Sequence, residues 1–233
     1  MLSLSDELKV IAGVGIAIAD AGIDAWHYKY SPLHMLWRPT IGIPFHGDMG
    51  WLPYGRPDTN GSGVGLTPNF PTYPSGHATF GAAAFQVLRL FLVQKKLANF
   101  ANGGIDDVRF TFTSDEYNGR NTCPRTGLPR PIIARTYESL WEAIVDNSVS
   151  RVYLGVHWQF DGITEKPYGG GDGVLGIPAS PANLGNRGGV WLGMQIANQI
   201  APSIGVKEDT IVDSGVLTVG AVQTSAVDLQ HSA

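Results

Sequence analysis

"YPSGHATFGAAAFQ", Tyr73 to Gln86, turns a loop into a helix: a proline, a serine able to cap, a glycine, then small residues leading to Val87, Leu88, Leu90, Phe91 and Leu92. The spacing predicts a helix from Gly76 to Leu97, whose small first turns can approach another helix closely. At its start Ser75 is a natural N-cap. The amides of Gly76, His77 and Ala78 then point outward with no intrahelical acceptor, which makes an anion site at the positive end of the helix dipole. Gly76 lets a ligand come close to the backbone, and the His77 imidazole can exchange a proton with that ligand near neutral pH. A capped helix whose second residue happens to be histidine would read the same way, so this stretch alone does not decide.

Working outward, Ser3 and Asp6 resemble a capping box before a proline-free, Ala/Ile/Leu-rich segment, and a first helix is expected from Ser5 to Lys29, ended by Pro32. From Trp37 to Pro74 prolines and glycines recur among Phe45, Trp51, Tyr54, Phe70 and Tyr73, which predicts a long ordered loop. Residues 99 to 132 read as another loop, with an undecided segment at Asp107 to Thr113. Helical spacing of Leu140, Trp141, Ile144, Val145 and Val149 predicts a third long helix from Thr136 to Tyr153, and "VWLGMQIANQIA" a last one from Val190 to Ala201. The "GGGDG" at Gly169 to Gly173 follows no strand and lacks a phosphate-loop lysine, so it reads as a flexible loop. The tail from Ser203 is small and polar, with 210 to 222 a short strand or nothing. The expected class is all-α, a helical bundle with long ordered loops: a helical domain over 1–202 and a C-terminal tail over 203–233.

Composition narrows the partners. A net charge of −4 with no Lys/Arg run gives nucleic acid and anionic membrane no electrostatic footprint. The apolar run Val10 to Ala19 is too short for a membrane span, and Asp6, Glu7 and Lys9 do not make a signal peptide. Cys123, the single cysteine, excludes an internal disulfide and a cysteine zinc cluster. The compartment is left open.

Two further segments carry candidate chemistry. "SRVYLGVHWQFDG", Ser150 to Gly162, offers the permanent forked donor of Arg151, with His157 and Asp161 four residues apart. On a helix those two would share a face, and a carboxylate on one ring nitrogen would leave the other free as nucleophile or metal ligand. "WHYKYSPLHMLWRP", Trp26 to Pro39, adds Lys29 and Arg38. Each segment alone could equally be a solvated cation or a satisfied core histidine. Together they point to one tetrahedral anion held by Lys29, Arg38, Ser75, Gly76 and Arg151 between two histidines. His27, His34 and His46 read as packing or solvated residues.

The order Lys…Arg-Pro, Pro-Ser-Gly-His, Ser-Arg-x5-His-x3-Asp resembles the type 2 phosphatidic acid phosphatase and vanadium-dependent haloperoxidase superfamily. "YPSGHATFGAAAFQ", "SRVYLGVHW", "LWRP" and "GGVWLGMQIANQI" resemble its haloperoxidase branch. The resemblance implies vanadate as cofactor, ligated by His157 and contacted by Lys29, Arg38, Ser75, Gly76 and Arg151. It further implies His77 as acid/base, Lys29 polarising the peroxide, Asp161 behind His157, and Trp26 and Phe70 lining a halide pocket, with Phe70 leaning to chloride. The implied reaction oxidises halide with hydrogen peroxide through a peroxovanadate and passes the halogen to an organic acceptor. Eight residues separate Lys29 from Arg38, two more than the family usually has, which would turn Lys29 by about 200° in an unbroken helix. Pro32 predicts a break, with a bulge taking up the extra length. The family's usual N-terminal bundle is expected to be absent, so that a homo-oligomer or a second subunit would cover the exposed helices. The rival expectations are an acid phosphatase working through a phosphohistidine at His157, and a non-catalytic anion-binding remnant.

Overall fold

The structure, a computed structural model, describes residues 2–54, 67–123, 126–166 and 176–216. The first helix, α1 (Leu4–Tyr30), begins where the Ser3 hydroxyl accepts the Asp6 amide at 3.2 Å, and ends before Ser31 and Pro32. Val10, Gly13, Ala17, Ala21, Ala25 and Lys29 form its buried stripe at steps of three and four residues. The cation therefore belongs by register to the core-facing side. A short α2 (Pro39–Phe45) follows.

The central helix is α3 (Gly76–Gln94), packed against α1 and the last long helix, α6 (Gly188–Ile200). The expected close approach is present. A Cβ on Gly189 would come 2.5 Å from the Ser75 carbonyl, and one on Gly193 would come 2.3 Å from the Thr79 carbonyl. The first turns of α3 thus rest backbone to backbone on α6, which fixes where Ser75 stands. One core cluster joins Val87, Leu90 and Phe91 to α1 and Ile196; a second joins Ala78, Trp141, Ile144, Val190 and Met194. Among the described residues α3 is the one helix long and apolar enough to cross a membrane, and over half of that window is buried inside the fold.

Three expectations are corrected. The chain is mostly helical, not all-α: β1 (Phe110–Asn118) and β2 (Ile132–Tyr137) pair antiparallel, Phe110 opposite Tyr137 and Thr113 opposite Ala134. Neither strand has a fully buried residue, so no hydrophobic face betrays the hairpin in the sequence. Stacking of Phe112 on Phe110 and Tyr137, with centroids 6.1 and 6.3 Å apart, holds it instead. Second, α4 (Leu140–Tyr153) starts four residues later than expected, where Ser139 accepts the Glu142 amide at 3.0 Å. Third, the start of the stretch read as a polar tail, with 210–222 a short strand or nothing, is helical at α7 (Glu208–Asp213) and packs on the core through Val206 and Ile211; residues 217–222 lie outside the described residues. The Gln94 side chain accepts the Lys207 amide at 2.8 Å and the Thr210 hydroxyl at 3.0 Å. The "GGGDG" stretch lies outside the described residues.

Candidate anion-binding site

Four separate parts of the chain meet at the start of α3. The end of α1 contributes Lys29, fully buried. Its ammonium donates to the carbonyls of Pro71, Thr72 and Pro74 at 3.1, 2.9 and 2.6 Å. Those acceptors use all three of its protons, so in this arrangement Lys29 acts on the site by charge and by pinning the loop that carries Ser75. Burial, with the Arg38 charge beside it, lowers its pKa to about 7. The helix breaks before Pro32 as expected, and the Ser31 amide donates to the Tyr28 carbonyl at 3.2 Å and the His34 amide to the Ser31 carbonyl at 2.9 Å in the turn that leads to Arg38.

Arg38 is 4% exposed. Its Nε donates to the Phe70 carbonyl at 2.9 Å, and Nη1 to the Val156 carbonyl at 2.7 Å while lying 3.3 Å from His157 Nε2. Nη2 is buried with no hydrogen-bond partner. Burial lowers its pKa to about 10; Asp161 works in the opposite direction, and the nearby Arg151 charge adds to the lowering.

Ser75 takes the N-cap position of α3, yet its hydroxyl makes no capping bond and is buried without a partner. Its amide donates to the Asp161 carbonyl at 2.7 Å. The first intrahelical amide bond runs from Thr79 to the Ser75 carbonyl at 3.0 Å, so the amides of Gly76 and His77 lie ahead of it. The His77 side chain is exposed in this first turn, and its carbonyl accepts from Asn147 of α4 at 2.8 Å.

Arg151 is buried in the last turn of α4, where a cation suits the helix dipole. The chain then turns at Gly155, whose φ is +69°, and delivers His157 just before the short α5 (Gln159–Gly162). His157 and Asp161 pair, with His157 lying before the helix that carries Asp161. Asp161 caps α5 by accepting the Trp158 amide at 2.9 Å, and the same carboxylate oxygen lies 3.0 Å from His157 Nδ1. Burial lowers the His157 pKa to about 4, against the pull of Asp161, so the ring is neutral at pH 7. With the Nδ1 proton directed to Asp161, the Nε2 lone pair faces Arg38.

Trp26 and Phe70 also meet, with ring centroids 5.2 Å apart. Lys29 Nζ lies 5.6 and 5.2 Å from the two centroids, and the Arg38 guanidinium 4.9 Å from Phe70. A Cβ on Gly76 would come 3.1 Å from the Trp26 ring, so glycine keeps the helix start open beside it.

Of the residues proposed from the sequence, all but His77 touch this one cluster or, like Arg151, act on it by charge. Sequence reading missed Thr72, whose buried hydroxyl sits between His157 and Asp161. It also missed the carbonyls of Pro71, Thr72, Pro74, Phe70 and Val156. Backbone acceptors leave no signal in residue identity.

Comparison with known proteins bears on the same segments. The family model for the VCPO second helical-bundle domain matches residues 9–173. The chain belongs to the vanadium haloperoxidase family. Vanadium chloroperoxidase from Curvularia inaequalis is 37% identical over 175 residues, 67% of this chain and 28% of the relative. The chain therefore spans little more than a quarter of the curated relative it matches. A crystal structure of a bacterial vanadium-dependent iodoperoxidase aligns with 85% of this chain and 34% of its own, at 24% identity and a TM-score of 0.49. The curated relative is a vanadium enzyme by name, and the donors here are of a kind that suits an oxyanion. The site presents guanidinium, hydroxyl and amide donors with one neutral imidazole. Two of its buried donor atoms, Ser75 Oγ and Arg38 Nη2, have no partner within the protein. Each such group costs about 1–3 kcal/mol until something accepts from it.

Proposed function

We propose that this domain carries a haloperoxidase site, in which halide is oxidised by hydrogen peroxide with vanadate held among Lys29, Arg38, Ser75, Gly76, Arg151 and His157. The observation that supports the reading is a set of buried cations beside His157, with Arg38 Nη1 3.3 Å from His157 Nε2, while Arg38 Nη2 and Ser75 Oγ are buried with no partner. Vanadate bound there would supply Lewis acidity toward peroxide.

The protein's own groups do the rest. His157 offers a neutral nitrogen as ligand, oriented by Asp161. Arg38, Arg151 and Lys29 supply positive charge in surroundings with little water, where it acts strongly on an oxyanion. His77, itself exposed in the first turn of α3, would move a proton between the bound anion and solvent. Trp26 and Phe70 border the cations and form the halide side, with Phe70 favouring chloride. A cavity of about 930 Å³ between the hairpin and helices α3 and α4, lined by Phe85, Phe110, Phe112 and Asn147, has room for an organic acceptor.

The test is bromination of monochlorodimedone with peroxide and added vanadate, by the wild type and by His157→Ala. Activity in the wild type that the variant lacks is expected. Equal activity in both, or hydrolysis of p-nitrophenyl phosphate without vanadate as the dominant reaction, would overturn the reading.

A further inference from the structure

Thr72 is fully buried in a proline-rich loop, and three segments of the site converge on it. Its amide donates to the Leu36 carbonyl at 3.0 Å, which fastens the turn leading to Arg38. Its carbonyl accepts from Lys29 Nζ at 2.9 Å. Its hydroxyl donates to Asp161 Oδ2 and lies 3.0 Å from His157 Nδ1.

The proton count at this junction decides the histidine tautomer. A threonine hydroxyl has one proton, and a carboxylate oxygen is the stronger acceptor for it. Once that proton is on Asp161, the hydroxyl can present only a lone pair to the ring. Asp161 Oδ2, also 3.0 Å from Nδ1, presents lone pairs as well. A bare Nδ1 would then face two acceptors and no donor. A protonated Nδ1 satisfies both and leaves Nε2 bare towards Arg38 Nη1, which donates one proton to the Val156 carbonyl and can direct its second to that lone pair.

We infer that Thr72 is a positioning residue that holds His157 in the Nδ1–H tautomer, aims its Nε2 into the anion pocket, and ties that imidazole to Lys29 and Arg38 through one loop residue. In relation to vanadate the inference rests on the proposed function above; in relation to the tautomer it stands alone. Groups that hold the far nitrogen of a ligating histidine typically change metal affinity by about 10- to 100-fold when removed.

The experiment uses the vanadate-free chain labelled with ¹⁵N-histidine, followed by titration with orthovanadate. In the wild type the His157 Nδ1 signal should be of the protonated type and the Nε2 signal of the bare type. Thr72→Val, which keeps the branched shape and loses the hydroxyl, should show averaged tautomer signals and bind vanadate roughly tenfold or more weakly. Thr72→Ser, which keeps the hydroxyl, should restore both. An Nε2–H tautomer in the wild type overturns the inference whatever the variants do, including a valine variant that fails to fold. So does a folded Thr72→Val with wild-type signals and affinity. A wild type that shows the Nδ1–H tautomer, lost in Thr72→Val, while neither binds vanadate, upholds the tautomer lock and sinks the vanadate reading.

Discussion

Two buried clusters in this fold combine arginine with aspartate, and they are built in opposite ways. Arg89, on α3, is fully buried, pairs with Asp106 at 3.0 Å, and donates to the Gln86 side chain at 2.8 Å and to the Gly104 carbonyl. Asp106 in turn caps α4 by accepting the amides of Leu140 and Trp141 at 2.8 and 3.1 Å. One charge meets one charge: Arg89 Nε faces Asp106 as an ion pair without an aligned hydrogen bond, and the two terminal nitrogens donate elsewhere. At the other end of α3 the buried cations Lys29, Arg38 and Arg151 gather around Asp161, the one other buried carboxylate among the described residues. There Ser75 Oγ and Arg38 Nη2 are left with no acceptor. A closed ion pair holds elements together, whereas an excess of buried cations and donors is complete only when an anion joins it.

The largest effect expected from breaking this contrast is at the closed pair. Asp106→Ala strands the buried Arg89 and uncaps α4, and should cost about 3–5 kcal/mol in urea unfolding, a deficit relative to wild type that is the same with and without vanadate. A loss below 1 kcal/mol would mean the pair is not structural.

At the open cluster, acid should act through His157. Its folded pKa of about 4 lies below the ordinary 6.5. Between those values the unfolded chain binds the extra proton and the folded one does not, so stability falls as pH drops through this window, by up to about 3 kcal/mol. Urea unfolding of vanadate-free wild type at pH 7 and pH 4 should show the drop, and His157→Gln should lose most of it.

Vanadate should then stabilise the wild type by about 2.7 kcal/mol at a hundredfold excess over its Kd, read as a raised unfolding midpoint. Arg38→Ala should gain almost nothing. The smallest effect separates the cations from one another. Arg151→Ala should weaken vanadate binding roughly tenfold more than Lys29→Ala, since the Lys29 protons already serve three carbonyls. The reverse ranking in a calorimetric titration would show that Lys29 turns to the anion directly.

The same contrast explains what the sequence could disclose. Helices α1, α3, α4 and α6 bury apolar faces, and all four were legible: α4 by helical spacing, α1 by the Ser3 cap and a proline-free apolar run, α3 and α6 by their small and apolar residues. The Ser139-Leu140-Trp141-Glu142 pattern also marks the start of α4, four residues beyond the expected Thr136, and Thr136 and Tyr137 are instead the last residues of β2. The hairpin has no buried face to leave a pattern. Within the site, charged and imidazole side chains were legible because their chemistry is unusual for a core. Thr72 was not, because a threonine in a proline-rich loop becomes informative only when folding sets it between residues 85 and 89 positions away.

Isothermal titration of the purified chain with orthovanadate, wild type against His157→Ala, tests most directly whether these segments form one oxyanion site. One vanadate per chain, displaced by excess phosphate and lost in the variant, is the expected result. Undiminished binding by His157→Ala, or no saturable binding by a folded wild type, would contradict the account.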